Sequence, residues 1–499
     1  MAGSGLSQNT LFTKCPGLYV RRRQNRSLII EPRSASWIIL EGPALDFWRK
    51  MPESAHWSEL CAIDNPLPEA DRLSLLQELF SRFMININGR PYFSGKMWPL
   101  ERKYPSYLCL HLTEACNFGC RYCMADSVPG KGRMSKETIA KIIEKCLHEL
   151  PLEHLTIDFH GGEPLLAYDS IKYAVQYAKE LNEKEKLGKV LAFMFQTNGS
   201  LLTDDKILEI KDLGIIVGVS LDGPRDIHDR NRIFAGGGGT FDTVVKNVKR
   251  ARELGLRVGL LGVIHNPDDY VRSFRFFTRE LDRTSFRLNY SSFIGRSARL
   301  LDFPVTRAKA FAEGWLAMVD EALQYSREHQ KPLAIQDITN QINNLVTKQR
   351  PFMCYRSPCG AGNSVFGFAI DGGIHACEEM ASTGALRLGS VYDEGLNLAD
   401  LIDNNPVVEQ LRSRTVDNIP RCRRCPIRRF CYGGCTSKTL ACFGDLMRES
   451  PMCGFYQIVF EELMWKLWDN PDMVRRLGGS ALNHISWRPW KPSGIKNEV

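Results

Sequence analysis

The chain has 499 residues, 43% of them hydrophobic and 24% charged, with 16 cysteines and a formal net charge of +8. Those proportions fit a globular protein with a large core and room for two to four domains. They argue against helical membrane spans, because no apolar run approaches the roughly 20 residues that cross a bilayer, and the opening MAGSGLSQNTLF lacks the basic start and apolar stretch of an export signal; a cytoplasmic location is expected.

In chain order, LYVRR and SLIIEP read as short strands, and SASWIIL and ALDFWRKM follow with helical periodicity. DRLSLLQELFSRFMINI closes this first unit, residues 1–100, as a further helix. Strands followed by three short helices suggest a small winged-helix fold. From about 104 to 325 six apolar runs recur: YLCLHL, LTIDFH, LAFMFQ, IIVGVSL, VGLLGVI and FRLNYS. Amphipathic segments such as SKETIAKIIEKCLHEL and TFDTVVKNVKRAREL separate them. Six β-α units predict an α/β fold, a parallel sheet curling into a partial (β/α)6 TIM-like barrel with chemistry at the carboxyl ends of its strands. Residues 305–345 read as helical. A segment within 340–470 is rich in Cys, Gly and Pro with little periodicity, which suggests that metal holds it together. The tail, 471–499, ends in SWRPWKPSGIKNEV, which suits either a docking strap or a disordered end.

Sixteen cysteines in a reducing compartment are not expected to form disulfides. Twelve fall in two stretches, 116–123 and 354–453, and all of these but Cys442 belong to spaced motifs. Cys15, Cys61, Cys109, Cys146 and Cys442 stand apart and read as buried structural thiols. In EACNFGCRYC, residues 114–123, Cys116, Cys120 and Cys123 are spaced C-x3-C-x2-C. A tetrahedral zinc wants four ligands and disulfides want an even number. Three thiolates are the number that leaves one iron of a cubane cluster free of protein.

The positive charge concentrates in RRRQNR at 21–26 and RCRRCPIRRF at 421–430. No interleaved aromatic platform or recognition motif accompanies it, so a nucleic-acid partner is not expected. A solvated basic face, or cations offsetting thiolate-ligated clusters, accounts for the same residues.

The three-cysteine loop resembles the signature of the radical SAM superfamily, with the aromatic Tyr122 before the last cysteine. Later motifs carry the resemblance further: FHGGEP with Gly161, Gly162 and Glu163, QTNG with Asn198, and SLDG with Ser220, Asp222 and Gly223. The resemblance implies a [4Fe–4S] cluster on Cys116, Cys120 and Cys123 whose open iron binds S-adenosylmethionine (SAM). It implies that Tyr122 packs near the adenine and that Glu163 helps hold the SAM amino group. The other motif residues would contact its ribose and methionine.

Cys422, Cys425, Cys431 and Cys435 read C-x2-C-x5-C-x3-C, with Cys453 beyond; upstream stand Cys354, Cys359 and Cys377, the last placed G-x4-C after Gly372. This order resembles the SPASM domain. It implies two auxiliary [4Fe–4S] clusters, one on Cys354, Cys359, Cys377 and Cys435, the other on Cys422, Cys425, Cys431 and Cys453. A zinc ribbon is the alternative, as a zinc-dependent nucleic-acid binder would need. Cys354 lies outside the seven-cysteine signature; were it free, that cluster would keep an open iron. Glu378, next to Cys377, stands where related sulfatase maturases carry an aspartate proposed as general base.

The N-terminal unit resembles the PqqD-like domain that adds a leader peptide as a strand to an exposed edge. LYVRRRQNRSLIIEP would supply that edge, with Arg21, Arg22 and Arg23 available to an acidic leader. The combined resemblance implies a maturase of a precursor peptide or small protein subunit, served by a flavodoxin- or ferredoxin-type electron donor. Thioether formation is the first expectation; carbon–carbon cross-linking, epimerisation, formylglycine formation and a small-molecule substrate are the alternatives.

Overall fold

The structure, a computed structural model, describes residues 7–93, 104–299, 304–350, 352–479 and 487–493. The expected boundary near residues 100–104 and the extreme ends of the chain lie outside the described residues.

The first unit holds β1 (Leu11–Lys14), β2 (Tyr19–Arg23), β3 (Arg26–Glu31), β4 (Ser36–Glu41), α1 (Gly42–Lys50), β5 (Ser54–His56), α2 (Trp57–Cys61), α3 (Glu69–Ser81) and β6 (Ile85–Ile87). They form two antiparallel sheets, ordered β5-β1-β6 and β2-β3-β4. SASWIIL, expected as helix, is strand β4. Its Trp37, Ile38 and Ile39 pair with Ile30, Ile29 and Leu28 of β3. β-Branched and aromatic side chains suit that pleated, buried surface and override a weak helical period. The helix expected to run to residue 87 stops at Ser81, and its last residues turn into β6.

The strand period of two divides the arginines of β2. Arg21 and Arg23 reach the helix Cys453–Asp469, where they pair with Glu461 and Glu462. Arg26 adds Asp469, and Arg23 and Arg26 lie 4.9 and 5.2 Å from the Trp465 ring. Val20 and Arg22 face the other way, onto a cavity of about 430 Å³ that Lys14, Trp48 and Arg49 also line. Of the three arginines expected to meet a leader, only Arg22 is turned that way.

The second unit contributes β7 (Tyr107–Thr113), α4 (Lys136–Glu149), β8 (His154–Gly161), α5 (Tyr168–Lys184), β9 (Val190–Thr197), α6 (Asp204–Leu213), β10 (Ile216–Ser220), α7 (Arg225–Asn231), α8 (Phe241–Glu253), β11 (Val258–Ile264), α9 (Asp269–Arg275), β12 (Ser285–Tyr290), α10 (Pro304–His329), β13 (Ala334–Ile335) and α11 (Gln336–Val346). All six expected strands, β7 to β12, run parallel to their neighbours. The stretch expected as helical at 305–345 is α10 and α11, interrupted by β13.

The cysteine-rich segment has more regular structure than its sequence texture suggested. It holds β14 (Val365–Phe368), β15 (Gly373–His375), α12 (Glu378–Thr383), β16 (Arg387–Ser390), α13 (Leu398–Asn404), α14 (Pro406–Ser413), α15 (Arg428–Cys431), α16 (Thr436–Phe443), α17 (Cys453–Asp469) and α18 (Met473–Leu477). β14 pairs parallel with β7, so one ten-stranded sheet runs β13-β12-β11-β10-β9-β8-β7-β14-β15-β16. Among the described residues no helix is long and apolar enough to cross a membrane.

Lys348, just past α11, joins the units. Its ammonium donates to Ser34 O, Ala35 O and Ser36 Oγ, all in buried residues of the β3–β4 turn. Burial, with the nearby charges of Arg350 and Arg82, pulls its pKa down to about 7. Trp37 Nε1 adds a 2.9 Å bond to Leu345 O. Replacing Lys348 by Met leaves three acceptors without this donor, and chemical unfolding is expected to show a loss of about 3 kcal/mol. A change below about 0.5 kcal/mol, the level of an ordinary surface substitution, would show that the latch carries no stability.

Candidate active site

The three-cysteine loop follows β7 directly, at the carboxyl end of the sheet. Backbone groups hold it from two sides. Gly162 N donates to Thr113 O at 2.8 Å and Glu163 N to Ala115 O at 2.9 Å. From the other side, Gly119 N and Arg121 N donate to Ile233 O and Asn231 O, and Ala235 N donates to Asn117 O. Gly161 has φ +129°, and a Cβ there would lie 2.0 Å from Thr113 O; one at Gly162 would lie 2.2 Å from Ala115 O. The two glycines therefore let strand β8 close onto the backbone that leads into the cysteines.

Glu163 is buried, and each of its oxygens is engaged. Leu165 N and Thr197 Oγ1 donate to Oε1 at 3.0 and 2.6 Å, and Asn198 N donates to Oε2 at 2.7 Å. Burial raises its pKa. Asn198 Nδ2 donates to Asn117 Oδ1 at 2.8 Å, which joins QTNG to the loop. Ser220 Oγ accepts from Gln196 Nε2 at 3.0 Å. Asp222 is a buried hub: it accepts from Arg232 Nε and Val263 N, each at 3.0 Å, and from the Tyr122 hydroxyl. The Arg232 guanidinium lies 5.3 Å from the Tyr122 ring. Gly223 has φ +153° and packs against Ser273. The residues expected to contact SAM thus meet around one loop, each with partners inside the chain.

The cysteines fall into three groups. Burial pushes Cys116 up to about 12 and Cys120 up to about 11, with the other thiols of the triplet adding charge; Arg232 opposes the shift at Cys120. Burial raises Cys377 and Cys435 well above the usual thiol range. Cys377 feels Cys435 and Cys359, and Cys435 feels Cys354. Cys354 is the exposed member, yet the surrounding protein still pushes its thiol up to about 12, with Cys359 contributing. In the last group, burial raises Cys431, and the charges of Cys425, Cys422 and Cys453 add to it. Cys422 is pushed to about 12 and Cys453 to about 11 by the same causes. All of these cysteines are free thiols.

Such groups fit multinuclear iron–sulfur clusters, which require thiolates that burial alone disfavours. Among the described residues no three Cys, His, Asp or Glu side chains stand at the spacing of a single bound ion. A cubane spreads its thiolates over several irons and does not ask for that spacing. Arg421 pairs with Glu449, and Arg428 and Arg429 with Asp417, so the basic run at 421–430 is partly neutralised within the chain.

Sequence reasoning singled out Glu378 but missed its surroundings. His160 Nδ1 lies 3.5 Å from Glu378 Oε1, and its Nε2 lies 2.7 Å from Asp158 Oδ2. Tyr107 OH donates to the same Asp158 oxygen at 2.6 Å. Burial pushes Glu378 up to about 7, His160 opposing. Burial alone would lower His160, but Asp158 and Glu378 carry it up to about 9. His111, stacked on His160 at 6.1 Å, is pushed down to about 3 by burial, with the charges of His160 and His375 adding. The signal was present: Asp158 and His160 alternate with Leu155, Ile157 and Phe159, so polar side chains occupy the inward face of an otherwise apolar strand.

Comparison with known proteins decides the class. The radical SAM superfamily matches over residues 110–277. These residues form a radical SAM domain. An uncharacterized protein of Archaeoglobus fulgidus is 27% identical over 361 residues, covering 69% of this chain and 77% of its own. A serine-type anaerobic sulfatase-maturating enzyme of Bacteroides thetaiotaomicron is 24% identical over 353 residues, covering 64% of this chain and 80% of its own. The solved structure of native anSMEcpe with bound AdoMet superposes with a TM-score of 0.63 at 19% identity, covering 73% of this chain and 98% of that one. The chain is therefore an enzyme built on a radical SAM domain, with the fold of that structure, and radical SAM chemistry implies a [4Fe–4S] cluster and SAM.

Gly162→Ala is expected to displace the loop that the glycine packs against. Anaerobically reconstituted protein should then lose the iron of one cluster, about four atoms per chain, and its SAM cleavage. Full iron content in that variant would show that the close approach is not needed.

Proposed function

We propose that the enzyme matures a peptide or small protein subunit by joining a cysteine sulfur to a carbon of the same substrate, a thioether cross-link. What supports the reading is a cysteine triplet in the loop after β7 together with eight cysteines between Cys354 and Cys453 that act electrostatically on one another. Cys116, Cys120 and Cys123 would hold the SAM-binding cluster; Cys354, Cys359, Cys377 and Cys435, and Cys422, Cys425, Cys431 and Cys453, would hold the auxiliary clusters. Bound there, these groups supply a carbon-centred radical that removes one hydrogen atom from the substrate, and an acceptor for the one electron left over when sulfur joins carbon.

The chain's own residues handle the remaining proton. As the carbon–sulfur bond forms, the substrate thiol must lose its proton, and Glu378 would take it. Among the described residues its Oε1 is buried without a hydrogen bond, and His160 Nδ1, on a ring that Asp158 fixes from the other side, lies 3.5 Å from that oxygen. Tyr122, Gly161, Gly162, Glu163, Asn198, Ser220 and Asp222 would line the SAM site. The N-terminal unit would recognise the precursor, with Lys14, Arg22 and Arg49 facing an acidic segment beside the open edge of β2. A reduced flavodoxin or ferredoxin would supply electrons.

The sulfatase-maturating relatives favour a second reading, oxidation of a side chain to formylglycine. Hydrazide labelling separates the two, since only formylglycine carries an aldehyde.

Anaerobic reconstitution is expected to give brown protein with about twelve irons per chain, and the Cys116→Ala/Cys120→Ala/Cys123→Ala variant about eight, with no reductive SAM cleavage. A co-expressed precursor peptide should lose two hydrogens, about 2 Da, for each cysteine that becomes resistant to alkylation. Colourless protein carrying zinc ends the reading, and a mass loss with every cysteine still alkylatable redirects it to carbon–carbon cross-linking.

A further inference from the structure

The arginines of the cysteine-rich segment are of two kinds. Arg421, Arg428 and Arg429 pair with carboxylates, Glu449 and Asp417. Arg414, the residue that follows α14, does not. It is 3% exposed, and its guanidinium is held by neutral oxygens alone. Nε donates to Leu446 O at 2.6 Å, and Nη1 to Thr436 Oγ1 at 3.4 Å. Nη2 donates to Gly433 O, Thr439 Oγ1 and Arg448 O, each at 3.2 Å. Among the described residues no carboxylate pairs with it.

Carbonyls and hydroxyls satisfy the N–H groups of a buried cation but do not neutralise it, and a charge taken out of water needs an opposite charge. The groups around Arg414 point to sulfur as the source. Gly433 stands between Cys431 and Cys435, and Thr436 follows Cys435 directly. Thr439 Oγ1 donates to Cys435 O at 2.9 Å.

Thr436 makes the connection explicit. It is 2% exposed, and the Oγ1 that accepts from Arg414 also lies 2.9 Å from Cys359 Sγ. A cysteine that binds metal does so as the thiolate, which has no proton to give. The Thr436 hydroxyl then donates to the Cys359 sulfur while its oxygen accepts from Arg414. In the other cysteine set, burial raises the Cys422 thiol and the charge of Arg414 opposes that rise. One buried cation therefore acts on members of both sets.

We propose that Arg414 is the shared countercharge of the two auxiliary clusters and raises both of their reduction potentials, with Thr436 relaying its pull to Cys359. A nearby positive charge and a hydrogen bond to a ligand sulfur both favour the reduced, more negative state of a cluster. The arrangement thus poises the cysteine-rich segment to accept an electron. The proposal rests on the reading of two auxiliary clusters; the isolation of Arg414 from any carboxylate and its link to Cys359 are argued from the contacts alone.

The test is a potential, not a turnover. Holoenzyme is reconstituted anaerobically, its iron is counted, and its clusters are titrated reductively under electron paramagnetic resonance, with and without SAM. The midpoint that responds to SAM marks the cluster of Cys116, Cys120 and Cys123. Arg414→Met is expected to move both other midpoints negative, lowering the reduced-to-oxidised ratio at fixed potential about tenfold, or about 59 mV for one electron. Arg414→Lys, which keeps the charge, should hold that ratio within about twofold of the unaltered chain. Thr436→Val, which keeps the shape and removes the hydroxyl, should move one of the two midpoints and leave the other. Should Arg414→Met not fold, as judged by its thermal midpoint, Thr436→Val decides. Fewer than about twelve irons in the unaltered chain overturns the reading of two auxiliary clusters and this proposal with it. Full iron with neither midpoint moved in Thr436→Val, or with both moved equally, overturns the proposal alone.

Discussion

Eight cysteines between Cys354 and Cys453, close enough to act electrostatically on one another, set the constraint around which the C-terminal third is arranged. They are far apart in sequence, and under the proposed assignment the two sets interleave, since Cys435 would join Cys354, Cys359 and Cys377 while Cys431 and Cys453 on either side of it would join the other set. Bringing such members together closes long loops, and a cation that binds the thiolates offsets that cost. The structure lowers the remaining electrostatic expense with Arg287 and Lys438 beside Cys354, Arg414 beside Cys422 and Arg421 beside Cys453. Tyr456 borders both sets, feeling Cys431 and Cys435 alike. Whatever charge one group carries is therefore close to the other.

The parallel pairing of β14 with β7 transmits this arrangement to the barrel. Gly367 in β14 stands beside Cys109 in β7, and a Cβ at Gly367 would lie 2.6 Å from Cys377 O and 2.7 Å from Ala381 Cβ. Because no side chain intervenes, α12 settles onto β14 and delivers Glu378 to His160 on β8. The inward faces of β7 and β8 meet it with Tyr107, Asp158, His111 and His160, while Leu108, Leu110, Ile157 and Phe159 are buried on the outward faces. Both Glu378 and His160 are half-buried, and the histidine is held from its other side by Asp158. The same juxtaposition gives a proton somewhere to go.

The barrel was legible because its six strands are apolar runs of ordinary length, each followed by an amphipathic segment. The cysteine motifs stood out because spacing between candidate ligands is itself the signal. What escaped was set by tertiary contact. SASWIIL carries a helical period but pairs with Ile29 and Ile30, a partner that local sequence cannot reveal. β14, β15 and β16 are only three or four residues long and become strands because β7 offers an edge. Arg232 and His160 look like ordinary polar residues in the sequence. They acquire their meaning from Asp222 and Glu378, ten residues and more than two hundred residues away.

Helix α17 shows why the N-terminal unit is not a detachable accessory. Its first residue, Cys453, is one of the proposed cluster ligands, and its later turns carry Glu461, Glu462, Trp465, Trp468 and Asp469, which hold Arg21, Arg23, Arg26 and Trp37. Trp37, Trp465 and Trp468 belong to one continuous core with the barrel. Exposed arginine pairs contribute little each, but the buried tryptophans and the Lys348 latch make this an internal boundary. Removing the first unit would uncover that apolar surface and free the helix that begins at Cys453. Loss of activity on such a truncation would thus report the integrity of the cluster region as much as the loss of peptide recognition, and point changes on the open edge of β2 are the sharper instruments for telling the two apart.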